Sequence, residues 1–579
     1  MEHKRIFKER RIGGNYEEIG KKFGINPMIA RIMRNRGVET EEQMQNFLSG
    51  NLDTLGDPHL LTDADLAAEL IEQQIRQGKH IRVIGDYDID GVMSSFILVK
   101  GLQRVGANVS VQIPHRINDG YGLNSHLIEE AKADSVDCII TCDNGISAIE
   151  EIAMAKEYGM TVVVTDHHQV TLGIPSADAV VNPHRSDDAY PFKEICGATV
   201  AWKVLSIVYE RFGIPKDEIN DFIEYVGFAT VGDIMPLKGE NRVMVKAALK
   251  AICNTKNLGM RALIHQCELT DKEIKAYHFG FVLGPCINAT GRLDTASRAL
   301  ELFLTDNPIT ATKIASELVT MNEERKDMTN EGVEEAIRIY EEGDYDRDPV
   351  LVLYLENVHE SIAGIIAGRI RERYYRPTFI LTKGEESIKG SARSIDEYSL
   401  SEEMAKHKDL FLKFGGHPKA AGLSIEESRI EEFRRVINED CPISVDDETE
   451  VVMLDACPDL RYVTVDFVNQ LSVLEPFGNE NSGPLFGAHQ LSVDGIRIMG
   501  KNRNVIKLML RDKEGVTVDG ISFTQADQLL TFLREKFGDS EVEKALKGNA
   551  NSISLSVIYS PKINDYNGPH VQLEIKYYL

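Results

Sequence analysis

The sequence predicts an α/β protein built in series: a doubly wound parallel sheet, a helical connector, a second α/β domain and a C-terminal β-barrel. Three observations predict it. Apolar runs alternate with helix-length segments from Ile81 to Val164, the texture of βαβ units. Helical sequence then takes over from Gly197 to about Arg338, and a strand restarts the pattern at Pro349-Val350-Leu351-Val352-Leu353-Tyr354. Beyond Pro442 come short alternating strands such as Val505-Ile506-Lys507-Leu508-Met509-Leu510 and Ser552 to Tyr559, which suit a small barrel able to hold single-stranded nucleic acid.

Taken in order, residues 1 to about 50 read as short amphipathic helices, one opening at Ile25-Asn26-Pro27 and another at Thr40-Glu41-Glu42. Strands follow at Ile81–Ile84, Val109–Ile113, Cys138–Thr141 and Thr161–Val164, with helices from about Val92 and over Ser147–Tyr158. Helix signals at Ala198–Phe212 and Ala311–Tyr340 mark a cap and a long connector, which includes Trp202, the only tryptophan. Glu342-Gly343-Asp344-Tyr345-Asp346 breaks that pattern before the second α/β domain.

Composition bounds the function. At 579 residues the chain suggests about three or four domains. The net charge of -26 excludes a body coated in basic residues for nonspecific nucleic-acid binding, while leaving room for a local basic groove. Eight cysteines without a Cys-x-x-Cys pair imply reduced thiols and a cytoplasmic protein. No signal-peptide core follows the basic start, and no apolar run reaches the roughly 18 residues of a membrane span.

The chemistry lies at the strand ends. Val162-Val163-Val164-Thr165-Asp166-His167-His168 is an apolar strand closing on three potential ligands. Alone it reads as readily as a polar loop. The first strand, however, ends in Gly85-Asp86-Tyr87-Asp88-Ile89-Asp90-Gly91, whose carboxylates repel unless a cation offsets them, although an Asp-rich capping turn looks the same. Thr141-Cys142-Asp143-Asn144-Gly145 ends the third strand, and Asp233, which terminates an otherwise apolar segment and alone could as easily cap a turn, is expected as a fourth acidic strand end. Together these groups suffice for two divalent cations, and mixed carboxylate and imidazole ligation suits manganese better than magnesium. Two ions about 3.5–4 Å apart would clamp a phosphodiester and activate water.

Asp86-Tyr87-Asp88-Ile89-Asp90-Gly91, Asp143-Asn144-Gly145, Asp166-His167-His168 and Gly232-Asp233 resemble, in order, the four motifs of the DHH phosphoesterase superfamily, and within it those of the RecJ single-strand exonucleases. The likeness continues through Pro114-His115-Arg116-Ile117-Asn118-Asp119-Gly120-Tyr121-Gly122-Leu123, Asn182-Pro183-His184, Asn288-Ala289-Thr290-Gly291-Arg292-Leu293, His359 to Ile365, Gly390-Ser391-Ala392-Arg393-Ser394 and Gly415-Gly416-His417. Asn35-Arg36-Gly37 and Phe47-Leu48 extend it to the N-terminal region.

The resemblance implies an exonuclease that degrades single-stranded DNA from the 5′ end to 5′-mononucleotides in recombination and repair. It implies an N-terminal helical segment (1–50), a DHH catalytic domain (51–300), a connector helix (301–344), a DHH-associated substrate-binding domain (345–442) and an OB-fold-like domain (443–579). Asp86, Asp88, Asp90, Asp143, His167 and Asp233 would hold two Mn2+ or Mg2+ ions, and His168 would be a catalytic group either on the phosphate side or behind the metal ligands. Which first-motif carboxylates bind directly is left open. Arg116, Arg292, Ser391, Arg393, Gly415, Gly416 and His417 would bind substrate, glycine amides and cationic side chains meeting phosphate oxygens. Implied partners are single-stranded DNA, a single-strand-binding protein and a helicase, with the chain a monomer. Lys501, Arg503 and Lys507 of the barrel are expected to track the DNA backbone. Glu475-Pro476-Phe477-Gly478-Asn479-Glu480 departs from the family pattern by lacking a glycine two residues after its Pro-Phe-Gly. Two other readings are an enzyme on short RNA or cyclic dinucleotides, whose members usually lack such a barrel, and a noncatalytic replication scaffold, which would have lost metal ligands.

Overall fold

The structure, a computed structural model, describes residues 4–114, 122–293, 295–384, 387–444, 449–501, 503–523, 526–566 and 568–579. The chain forms two compact units: Leu55–Met235 and Met244–Glu450, with the first six residues, make one, and Phe7–Thr54, Pro236–Val243 and Val451–Leu579 make the other.

The strands in chain order are β1 (Lys4–Glu9), β2 (His80–Gly85), β3 (Asn108–Gln112), β4 (Cys138–Cys142), β5 (Thr161–Thr165), β6 (Ala179–Val181), β7 (Leu351–Tyr354), β8 (Thr378–Lys383), β9 (Ile388–Arg393), β10 (Phe411–Gly416), β11 (Ala420–Ile425), β12 (Thr449–Leu454), β13 (Phe486–Met499), β14 (Val505–Arg511), β15 (Thr517–Ser522), β16 (Ser554–Asn564) and β17 (His570–Tyr578).

In the first unit β3-β2-β4-β5-β6 form an all-parallel sheet. Val83, Ile139, Ile140, Val162, Val163 and Val164 are fully buried, because helices cover both faces of such a sheet and leave no solvated side to alternate toward. The chain runs from β2 outward to β3 and then crosses back to β4 on the other side of β2. That reversal makes a switch point at the carboxyl ends of β2 and β4, where open α/β sheets open a crevice. The three-residue β6, unforeseen in the sequence, extends the row.

Helix Pro308–Glu342 then runs for 35 residues, about 52 Å at 1.5 Å per residue. Asn307 caps its start and Gly343 ends it. Its first half buries Ala311, Ile314, Ala315 and Leu318, and its second half packs Gly332 against Ile366 of helix Glu360–Tyr374. The second sheet of this unit, β10-β11-β9-β8-β7, is mixed: only β7 and β8 are parallel.

In the second unit β13-β14-β15-β17-β16 close into a barrel, with β15 and β17 parallel and two helices inserted between β15 and β16. That order matches the OB architecture. Ile29, Ile32, Met33, Val38, Met44 and Phe47 from the N-terminal helices share one core with Phe486, Leu508, Leu555 and Leu573 of the barrel. Most of the region expected as a helical lead-in, from Phe7 onward, is therefore packed into the barrel unit, and the region opens with a strand, β1. Trp202 lies in helix Gly197–Arg211, against the first sheet's helices, and not in the connector. The cysteines are unbridged. Among the described residues no helix is long and apolar enough to cross a membrane.

Candidate metal centre

Parallel pairing aligns Gly85 with Cys142 and Cys142 with Thr165. The residue after each, Asp86, Asp143 and Asp166, therefore stands in one row across the carboxyl edge, each no more than 2% exposed. Asp143 adopts a left-handed φ of 61°, which Asp tolerates better than most side chains, and its N–H donates to Thr165 O at 3.0 Å. Asp88 caps helix Ile89–Arg104 by accepting from Asp90 N and Gly91 N at 2.9 and 3.1 Å.

Asp90 sits in the first turn of that helix and points at another helix start. It accepts from Gly197 N at 2.6 Å and Ala198 N at 2.8 Å, the opening amides of helix Gly197–Arg211. Cys196 lends that helix no capping side chain, so Asp90 supplies the missing acceptor and its charge meets the positive helix end. Gly197 has no alternative here: a Cβ would lie 2.7 Å from Asp143 Cβ.

Asp166 turns away from ligand duty. Its Oδ1 accepts from His167 N, His168 N and His168 Nδ1 at 2.7, 3.1 and 2.8 Å, and its Oδ2 accepts from Ile146 N at 2.9 Å. Of the three potential ligands at this strand end, two remain available. Burial disfavours the charged His168, but the Asp166 hydrogen bond and charge outweigh it and push the imidazole up to about 9. Burial pushes His167 down, keeping a neutral nitrogen.

Asp233 reaches the site by another route than expected. It caps the C-terminus of helix Ile223–Gly232, whose residues through Thr230 are buried. An apolar, β-branched run buried on every side loses its periodicity and reads as a strand, which is why the sequence suggests a strand end here. His167 Nε2 lies 3.1 Å from Asp143 Oδ1, 3.6 Å from Asp90 Oδ2 and 3.7 Å from Asp233 Oδ2.

Three overlapping ligand sets result, Asp86/Asp88/Asp143, Asp90/His167/Asp233 and Asp143/His167/His168, each with its donor atoms within 4.8 Å of one another. Asp143 belongs to two of them. The donors fit divalent cations: Asp143 Oδ1 and His167 Nε2 are buried and make no hydrogen bond. Burial, then repulsion from Asp90, Asp88 and Asp86, holds the Asp143 carboxyl well above the usual carboxylate range. Asp233 is raised well above it by burial and the same neighbours, and Asp90 is raised chiefly by burial. A cation removes that penalty.

The expected substrate groups gather around helix Glu360–Tyr374 and the second sheet. Asn288 fixes the acidic motif by accepting from Ile89 N at 2.9 Å. One helical turn later Arg292 donates to Ser361 O. Three residues along that helix, Gly364 lies under Arg393, where a Cβ would come within 3.0 Å of Nη2. Arg292 and Arg393 thus meet the same turn. Antiparallel register sets Gly415 opposite Gly422 and Gly422 opposite Ser391, and pairs Ala420 with Arg393. His417 N donates to Ala420 O at 2.8 Å, so His417 and Arg393 share one end of these strands. Gly415, Gly416 and His417 are exposed along the edge. Arg116 lies outside the described residues. In the barrel, Lys507 is already paired with Asp519 at 2.6 Å, which weakens the expected basic face.

Sequence reasoning assigns no role to Asn288 or to the Gly197 and Ala198 amides. Asn288 stands inside a recognised motif; for the amides the only signal is a helix start without a capping residue.

The description "DHH family, N-terminal domain" matches residues 80–230, "DHHA1 domain" matches 347–441, and "RecJ OB domain" matches 454–577. The single-stranded-DNA-specific exonuclease RecJ of Dickeya dadantii is 31% identical over 579 residues, covering 95% of each chain. That of Bacillus subtilis is 32% identical over 507 residues, 87% of this chain but 64% of its own length. RecJ from Thermus thermophilus in complex with Mn2+ superimposes with a TM-score of 0.82 at 27% identity, over 99% of this chain and 79% of that one, and its Mg2+ complex with 0.77.

Proposed function

This chain belongs to the RecJ family of single-stranded-DNA-specific exonucleases, and on that premise we propose that it hydrolyses single-stranded DNA from the 5′ end, releasing 5′-mononucleotides in recombination and repair. The observation that carries this reading is the convergence of Asp86, Asp88, Asp90, Asp143, His167 and Asp233 at one switch point, with buried donor atoms left unbonded. These six side chains would hold two Mn2+ or Mg2+ ions, with Asp143 the best placed to serve both. Bound there, the ions supply charge for the scissile phosphate and activate water.

The chain's own residues do the rest. The Gly197 and Ala198 amides fix Asp90, and Asp166 holds the His168 ring, which would face the phosphate. Arg292 and Arg393, which meet the same turn of helix Glu360–Tyr374, would grip the terminal phosphate together with the exposed Gly415-Gly416-His417 edge and Ser391. Gly416, at φ 146°, leaves amide and carbonyl unobstructed by a side chain. Arg116 would join them. A phosphate grip beside the metals spends binding energy on orientation, which raises the rate of the chemical step.

The barrel would hold the strand beyond the active site. We assign the chain to the cytoplasm, acting as a monomer with a single-strand-binding protein and a helicase that supplies single strands. The alternative readings are not favoured: the RecJ OB match covers the barrel that enzymes of small nucleotides usually lack, and a scaffold would not keep every ligand. Digestion with manganese of a single strand labelled at its 3′ end tests the reading. The label should stay in a steadily shortening strand while blunt duplex resists, and early release of the label refutes the polarity.

A further inference from the structure

The barrel unit contains a pocket of about 720 Å³ that the chemistry above leaves unused. Arg10, Arg36, Lys238, Asp455, Lys562 and Lys576 line it, and all belong to that one unit. Its electrostatics run against those of the chain. Lys238 pairs with Glu480 and Lys576 with Glu574, which leaves Arg10, Arg36 and Lys562 facing Asp455 alone. In a protein of net charge -26 a recess with surplus cations is a local exception.

The deepest of these cations is incompletely satisfied. The Arg36 side chain is 4% exposed, and its Nη1 donates to Asn481 Oδ1. Its Nη2 is buried without a hydrogen-bond partner. The Asp455 carboxylate lies 3.8 Å away, out of bonding range, and the same Oδ2 already accepts from Leu485 N at 3.1 Å. Leaving a buried guanidinium donor unmade costs free energy that an acceptor in the pocket would restore. A second cation deepens the deficit, since Arg242 is buried nearby and is held by the carbonyls of Phe47, Val473, Leu474 and Glu475 with no carboxylate. Beside Arg36, the Oδ1 of buried Asn35 is an acceptor without a donor.

We propose that this pocket is a phosphate-binding site, separate from the metal centre, that takes a phosphate ester of nucleotide size. Guanidinium forks match phosphate oxygens, and more than one cation calls for more than one negative charge. Asn35 Oδ1 would receive a sugar hydroxyl, and Met453 and Leu485 give an apolar wall for a base. The volume falls within the 300–1,000 Å³ or so usual for small-ligand sites. The phosphate can come from a mononucleotide in solution or from an internal phosphodiester of a DNA strand.

The test uses the full chain with divalent metal chelated, so that nothing is hydrolysed. Titration with dTMP should show saturable binding that Arg10→Gln/Lys562→Gln weakens about tenfold, the loss expected for charge-assisted hydrogen bonds, while manganese-dependent digestion of saturating short DNA stays at the wild-type rate. Arg36→Lys, which keeps the charge and loses the fork, should weaken binding too, with a circular dichroism spectrum to show that it folds. A 5′-hydroxyl oligothymidylate separates the sources: loss confined to this probe makes the strand's phosphodiester the occupant. The proposal is overturned if the double variant binds both probes as the wild type does. Because binding is read without hydrolysis, that failure leaves the exonuclease reading standing.

Discussion

The two five-stranded sheets of the first unit end in edges of opposite electrostatic character. In the parallel sheet, in-register strands all end on one edge, and that edge presents Asp86 and Asp143 beside Asp90, His167 and Asp233. In the mixed sheet, antiparallel pairing brings β9, β10 and β11 together, and their shared end presents Arg393, His417 and exposed glycine backbone. On the proposed reading, one edge would bind phosphate through cations it must borrow and the other through donors it owns. Parallel order therefore concentrates like charge and stores repulsion, whereas the mixed edge is built without that penalty. Each edge should respond to perturbation accordingly.

The sharpest break is Asp143→Asn. Removing the carboxylate shared by two ligand sets should lower manganese-dependent hydrolysis by at least about 10²-fold, the scale of losing a major electrostatic stabiliser. The same change should raise the melting temperature of the metal-free protein, because it relieves repulsion without opening the core. Near-native hydrolysis by this variant would discard the acidic edge as the metal site. Next in size, Arg393→Gln should cut kcat/KM about tenfold, with kcat falling as well as KM rising, and should leave metal-free stability unchanged. A stability change as large as that of Asp143→Asn would erase the contrast between the edges.

The pH dependence sharpens the comparison further. Asp90, Asp143 and Asp233 are raised above the ordinary carboxyl range, and His168 is raised to about 9. Groups raised on folding hold their protons more tightly in the native state. The stability they give is present below their unfolded values and is lost as pH rises through the folded ones. With metal chelated, the melting temperature should therefore fall between about pH 6.5 and about pH 9, the range over which His168 gives up its extra stability, and the fall should be shallower in Asp143→Asn. Saturating manganese should offset the fall at the upper pH, since a ligand of the native state alone adds stability. The smallest effect is expected in the barrel. Three phosphate contacts would contribute about 0.7 each to the logarithmic salt slope for single strands, but Lys507 is spent on Asp519. Replacing Lys501, Arg503 and Lys507 should therefore flatten the slope by about two contacts' worth and no more.

How much of this is legible in the chain alone follows from which interactions are local. Strand ends announce themselves, because an apolar run and its terminal carboxylate are neighbours in the chain, so Asp86, Asp143 and His167 are readable as a cluster. Asp233 is readable as a member of the acidic cluster but not as the end of a helix, since a fully buried run gives no period. The grip of the Gly197 and Ala198 amides on Asp90 spans 107 residues and leaves no mark at either end beyond a missing cap. The union of the N-terminal helices with the barrel is equally silent, for amphipathic helices show that a face must be covered and not by what.

The 35-residue helix between the two sheets acts as a ruler with a phase. It is anchored at both halves by buried residues, so its length and its rotation are transmitted together. One inserted residue would advance everything beyond it by about 1.5 Å and turn it by about 100°, carrying the Arg393 edge to a different bearing. Drift in length along this segment is thus far more constrained than drift in side-chain identity on its exposed face. An insertion in a surface loop of either sheet carries no comparable angular consequence.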